Sequence, residues 1–165
     1  MESSYKVPAN TRIGHVHLKV ADLQRSLDFY CGLLGFELMV TYGEDAAFIS
    51  AGGYHHHIGL NTWYSKNDPP ASRNGVGLYH TAILYPDRRD LAVVYQRLLD
   101  VAYPNIGNSD HGVSQALYLR DPDNNGVELY WDRPREEWPY LEDGTLTMSI
   151  IPLDLANLLA ELQTK

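Results

Sequence analysis

Cysteine is nearly missing from this chain. A single residue, Cys31, excludes a disulfide framework and a zinc ribbon and suits a reducing, cytoplasmic setting. Basic residues are outnumbered, 13 Lys and Arg against 21 Asp and Glu, for a formal charge of −8. A duplex-DNA binder or a protein of anionic membrane surfaces wants the opposite sign, so nucleic acid and membrane are not expected partners. No apolar run is long enough to span a bilayer, and MESSYKVPANTR lacks the basic-then-apolar pattern of a signal peptide. Nor is the chain poor enough in apolar residues to stay disordered: 44% are hydrophobic and 21% charged. Its 165 residues suit one compact domain or two very small ones. What it has in excess is histidine and tyrosine, seven and twelve, with His55, His56 and His57 consecutive.

A repeat organises the rest. When IGHVHLKVADLQRSLDFYCGLLG is laid on LYHTAILYPDRRDLAVVYQRLLD, His15 falls on His80, Asp22 on Asp87, Tyr30 on Tyr95 and Leu34 on Leu99. Two copies of so long a unit mean a duplicated module rather than a solenoid. Within each copy the pattern changes period. Val16, Leu18 and Val20 alternate with polar neighbours as in a one-sided strand. Asp22 then stands as N-cap before Leu23, Leu27, Tyr30 and Leu34 at helical spacing, and Gly35 closes the helix. FELMVTY, AAFISA and HHHIGLNTW read as three further strands. The second copy predicts a strand over 78–85, a helix over 87–100, a strand near VAYPNIG, and strands over 115–120 and 126–132 about the DPDNNG turn.

The expected architecture is therefore α+β: two tandem βαβββ modules forming a curled mixed sheet around a central cleft, plus a C-terminal helix. Module 1 covers about 11–64 and module 2 about 76–134, with a polar linker over 65–75. The extension over 135–165 carries Leu155, Leu158, Leu159 and Leu162 on one stripe, suited to packing on the barrel or on a second subunit.

Strand parity selects the chemistry. If Val16, Leu18 and Val20 pack under the helix, His15 and His17 face the other way. Likewise Thr81, Ile83 and Tyr85 leave His80 and Ala82 on the opposite face, and Val127, Leu129 and Trp131 leave Glu128 and Tyr130 there. Two imidazoles and one carboxylate on a concave face are the facial donor set that leaves positions open on mononuclear Fe(II). A lone strand histidine is usually satisfied by a nearby carbonyl; two at repeat-equivalent positions with a carboxylate favour metal.

Three segments, IGHVHLKVADLQRSLDFYCGLLGFEL, YHTAIL and YLRDPDNNGVELYW, resemble the vicinal oxygen chelate superfamily of glyoxalases, bleomycin-resistance proteins and dioxygenases, over roughly residues 11–134. The resemblance places the metal ligands on His15, His80 and Glu128, the residues that parity selects. Asn125 stands where the family's turn has Gly, a substitution that a left-handed Asn tolerates. Within the superfamily the chain is most similar to the catechol 2,3-dioxygenase branch, through YHHHIGLNTW and Tyr118 of LYLRDP. That similarity implies His56 as acid/base and Tyr118 as a donor to metal-bound oxygen. It also implies a further histidine before this Tyr, for which His111 is nearest although its spacing differs. His17 would line the substrate pocket.

The resemblance implies an Fe(II) enzyme, Mn(II) being the other candidate, that cleaves a small aromatic diol with O2. Enzymes of that branch have two such domains, so a chain with one is expected to form a homodimer. The superfamily includes two other classes. A glyoxalase or epimerase takes a fourth ligand from the end of module 1, but residues 46–67 contain no Asp or Glu; a thiol transferase needs a cationic pocket, for which Lys19 and Arg120 are available. A metal-free sequestering protein of the bleomycin-resistance kind has no need of the three ligand positions.

Overall fold

The computed structural model describes residues 5–72 and 74–163. Among these residues eight strands fall into two sets. The first contains β1 (Val16–Lys19), β2 (Glu37–Tyr42), β3 (Ala46–Ser50) and β4 (Ile58–Asn61); the second contains β5 (Thr81–Leu84), β6 (Gly107–Asp110), β7 (Ser114–Arg120) and β8 (Gly126–Asp132). Their orders, β1-β4-β3-β2 and β5-β8-β7-β6, are the same. In each, the first strand pairs parallel with the last and the others are antiparallel. The duplication read from the sequence is thus a duplication of topology. The sheets are hydrogen-bonded separately rather than as one curled sheet.

The helices begin where their caps do. Asp22 accepts from Arg25 N at the start of α1 (Leu23–Leu27), and Asp87 from Asp90 N at the start of α2 (Arg88–Asp100). The first helix differs from expectation past Leu27. Residues Asp28–Leu33 form a π-helix, with Leu34 N donating to Phe29 O at 3.0 Å. Gly35 ends it at φ +91°, a left-handed turn that a side chain resists. The C-terminal α3 (Leu155–Ala160), capped by Asp154, buries Leu158 in the common core and lies on α2. Packing on the body of the protein is therefore what its leucine stripe does. Arg88 holds it there through Asn157 and Glu161.

One core serves both modules. Leu18, Val20, Tyr30, Ile58 and Leu60 of the first meet Leu91, Leu98, Leu117 and Leu129 of the second in a single buried cluster. Polar contacts reinforce it. The Tyr30 hydroxyl, wholly buried, donates to Asp121 Oδ2 at 3.1 Å, and Arg25 pairs with Asp123. Asp121 also receives the N–H groups of Asp123 (2.9 Å) and Asn125 (2.8 Å), so the DPDNNG turn docks on the first module's helix. Across the same junction Arg97 donates to the Leu33 carbonyl at 2.8 Å and the Gly32 carbonyl at 2.7 Å.

Three local expectations are corrected. The strand expected over HHHIGLNTW begins at Ile58; the three histidines precede it, where the chain turns through Gly52 and Gly53 at positive φ. VAYPN is irregular, with Ala102 and Asn105 in left-handed conformations, and the strand starts at Gly107. In the DPDNNG turn the left-handed residue is Asn124, φ +67°, while Asn125 uses its side-chain amide to bond Asp121 Oδ2 at 2.9 Å.

Candidate active site

Register places equivalent rows across the two exposed sheet faces. In module 2 the row runs Ala82, Glu128, Tyr118, Gly107; in module 1 it runs His17, Gly59, Phe48, Val40. The position that carries a carboxylate in one module carries no side chain in the other. The His17 ring fills that space, so close that a Cβ on Gly59 would lie 2.9 Å from it. One row is acidic and hydrogen-bonded, the other aromatic.

Glu128 is the centre of the module 2 row. Its Oε2 lies 2.9 Å from His80 Nε2, and its Oε1 accepts from the Tyr118 hydroxyl at 2.9 Å. Tyr118 in turn lies 2.7 Å from His111 Nε2, and His111 Nδ1 lies 2.8 Å from the Ser149 carbonyl. His80 owes its place to Gly126, whose missing side chain lets β8 begin against the Tyr79 and His80 backbone; a Cβ there would sit 2.0 Å from Tyr79 O. Burial, followed by the Glu128 hydrogen bond and charge, pushes the Tyr118 hydroxyl well above its ordinary pKa. It is therefore a proton donor, not a phenolate, at any physiological pH.

His15, His56, His17 and Phe48 gather on the module 1 side. The His15 and His56 rings are 4.5 Å apart, His56 and Phe48 5.1 Å, and His17 is 5.7 Å from both Phe48 and Trp63. His56 Nδ1 faces His55 Nδ1 at 2.7 Å. Burial first, then the neighbouring imidazoles, lowers the pKa of His56; burial and His15 lower that of His17. Both shifts favour the neutral imidazole. His57 is committed elsewhere, its Nδ1 taken by Ser50 Oγ and Ala51 N–H.

The two groups of histidines meet at a seam. A cleft of about 670 Å³ between the unpaired edges of β1 and β5 has both His15 and His80 in its wall, with Val16, Phe36, Ile58 and Ile83. His80 also lines a second cleft, of about 520 Å³, with His111, Tyr118, Arg120 and Ile150. As they stand, no three His, Cys, Asp or Glu side chains among the described residues are arranged to hold a metal ion. His80 and Glu128 converge, whereas His15 rests on His56 across the seam. The donor chemistry nevertheless suits a first-row cation: a carboxylate meets an imidazole whose other nitrogen, Nδ1, is buried without a partner.

The row holds one residue whose place the sequence left open and one it gave no sign of. His111 joins Tyr118 because SDHGVS is the turn of the β6–β7 hairpin, closed by His111 N donating to Ser114 O at 2.8 Å. That turn, with Gly112 between two strands, was the available signal; linear spacing was the wrong measure. Ser149 contributes a backbone carbonyl, for which no side-chain pattern exists.

Known proteins share the fold and much of the sequence. The chain is 40% identical over 152 residues to a protein named catechol-2,3-dioxygenase from Bacillus subtilis (strain 168), covering 92% of this chain but 52% of that one, about half its length. It is 32% identical over 155 residues to biphenyl-2,3-diol 1,2-dioxygenase 3 from Rhodococcus globerulus, covering 88% of this chain and 80% of that one. A solved glyoxylase/bleomycin resistance protein/dioxygenase domain from Frankia sp. EAN1pec superposes with a TM-score of 0.60 over 74% of this chain and 98% of that one, at 24% identity. The profile that matches residues 12–129, agreeing with the doubled topology, makes the chain a member of the Glyoxalase/Bleomycin resistance protein/Dioxygenase superfamily.

Proposed function

We propose that the chain is an Fe(II)-dependent extradiol dioxygenase, cleaving the ring of a catechol-like diol with O2. The observation that carries this reading is the row His80–Glu128–Tyr118–His111, two potential ligands backed by a proton donor, in a chain whose relatives are named for catechol and biphenyl-diol oxygenation. His15, His80 and Glu128 would hold the metal, with His15 turning from His56 toward the seam. Bound there, iron would supply open positions for the diol's oxygens and for O2.

The remaining work falls to the chain's own groups. His56, its pKa lowered and its Nδ1 engaged by His55, offers Nε2 to take a proton from the diol and return it later. Tyr118 holds its proton and donates it as a hydrogen bond to oxygen charge that develops beside Glu128. His17, Phe48 and Trp63 give the diol's ring a flat aromatic wall. The protein acts as a cytoplasmic homodimer. Exposed apolar side chains on β2, among them Val40 and Tyr42 (71% exposed), support that assembly.

Anaerobic reconstitution with Fe(II), followed by metal analysis and a panel of catechols, is the decisive experiment. One iron per chain and yellow ring-opened products on admitting air are expected. Iron retained by a His80→Ala variant, or a colourless result on every diol from loaded protein, would overturn the assignment.

A further inference from the structure

Residues 138–151 leave the second module and return across it as a strap. The strap closes on itself through Thr147 N to Pro139 O (2.9 Å) and Leu141 N to Thr145 O (2.9 Å). It is laid along the end of β6 by Asp110 N to Ile151 O (2.8 Å), Ile151 N to Asp110 O (3.2 Å) and Ser149 N to His111 O (2.9 Å). Gly112, at φ +76°, lets it approach; a Cβ there would meet Pro139 at 3.2 Å and Ser149 Oγ at 3.4 Å. Beneath, Asp110 is fixed by Arg133 (2.6 Å), Gln115 (3.1 Å) and the Gly112 N–H (2.8 Å).

Two consequences reach the cleft. Ile150 stands in its wall beside His80 and Tyr118. The Ser149 carbonyl, 2.8 Å from His111 Nδ1, can only accept a hydrogen bond, so Nδ1 must carry the proton. A neutral imidazole has one N–H, and its Nε2 is then a lone pair aimed at Tyr118 Oη, 2.7 Å away. Tyr118 has one hydrogen and two acceptors, Glu128 Oε1 and His111 Nε2.

We propose that the strap is a positioning element of the site: the Ser149 carbonyl sets the Nδ1–H tautomer of His111 and so gives the Tyr118 hydroxyl a second acceptor. With Glu128 engaged elsewhere, the hydroxyl rests on His111 Nε2 and keeps one orientation until oxygen charge develops beside it and takes the hydrogen bond over. The catalytic consequence rests on the dioxygenase reading; the tautomer does not.

Two readouts keep them apart. Imidazole ¹⁵N spectra of the full chain across pH 6–9, assigned by comparison with a His111→Gln variant, are expected to show neutral His111 protonated on Nδ1. Ser149→Pro, which removes the N–H that seats the strap, is expected to scramble that tautomer, whereas Ser149→Ala, which keeps the carbonyl, preserves it. Where Ser149→Pro does not fold, Gly112→Ala displaces the strap from the opposite side. In Fe(II)-loaded protein the strap variant is expected to lower kcat by ~10-fold or more with KM within about twofold, as for a misplaced proton-transfer partner. An Nε2–H tautomer in the unaltered protein, or an unchanged one in the displaced strap, overturns the proposal. A wild-type protein inactive on diols but showing the expected tautomers overturns the dioxygenase reading and leaves the strap's role standing.

Discussion

His80→Ala removes the imidazole that meets Glu128 Oε2 at 2.9 Å, so metal content and turnover are expected to fall together. His56→Ala should separate them. Its ring lies against His15 rather than on Glu128, and iron is expected to stay while kcat falls ~10²–10⁴-fold, the usual contribution of one placed proton-transfer group. Metal analysis beside steady-state rates distinguishes the two. Tyr118→Phe deletes a hydrogen bond to a carboxylate, worth about 1.5–3 kcal/mol, and its loss should appear in kcat more than in KM. The direction of each pKa shift sets the pH profile. A base whose pKa is lowered stays neutral further into acid, so the acid limb of kcat/KM should lie below the ordinary imidazole value of about 6.5. Tyr118, pushed upward, should contribute no alkaline limb near neutrality.

Gly126 acts at the scale of elements, because its missing side chain is where β8 meets the chain entering β5. Gly126→Ala puts a methyl 3.0 Å from His80 Cα and closer still to Tyr79 O, so His80 must move; iron affinity and thermal stability should both drop, read by metal titration and melting. The Asp110–Arg133 contact is testable by pH. Burial alone would raise Asp110, and the Gly112 N–H, Gln115 and Arg133 together outweigh it and hold the carboxyl low. A depressed folded pKa stabilises above the unfolded value near 3.9, and that contribution is lost as pH falls through the folded one. The gap in melting temperature between wild type and Asp110→Asn should be open at neutral pH and narrow in acid. Much of this scale was legible in the sequence. Asp22 announced its cap, which its repeat partner Asp87 shares, and period-two alternation put Glu128 and His80 on one face, because burial on one side of a sheet writes itself into side-chain identity. The unread parts were set by backbone. The π-turns after Leu27, the glycines that turn the chain ahead of the histidine run, and the carbonyl of Ser149 leave no comparable mark.

Over the whole molecule, two modules share one core and a polar clamp at Tyr30, Asp121, Arg25 and Asp123. Tyr30→Phe leaves a buried carboxylate short of a donor, which should cost about 1–3 kcal/mol of stability in urea unfolding. Because the clamp holds the turn that leads into β8, the same variant is expected to weaken metal retention without touching a ligand. The strap has a different consequence, for cleavage. Its tip, residues 141–146, is exposed, with Gly144 at φ +83°, and exposed tips are where proteases cut. A cut there leaves neither end loose. The upstream stump stays moored by Arg133 on Asp110 and the downstream stump by Ile151 on Asp110 and by Arg88 on Glu161. Nicked protein should therefore elute as one particle, run as two fragments when denatured, and keep Ser149 where it is. The strap's grip on His111 is thus independent of its own continuity.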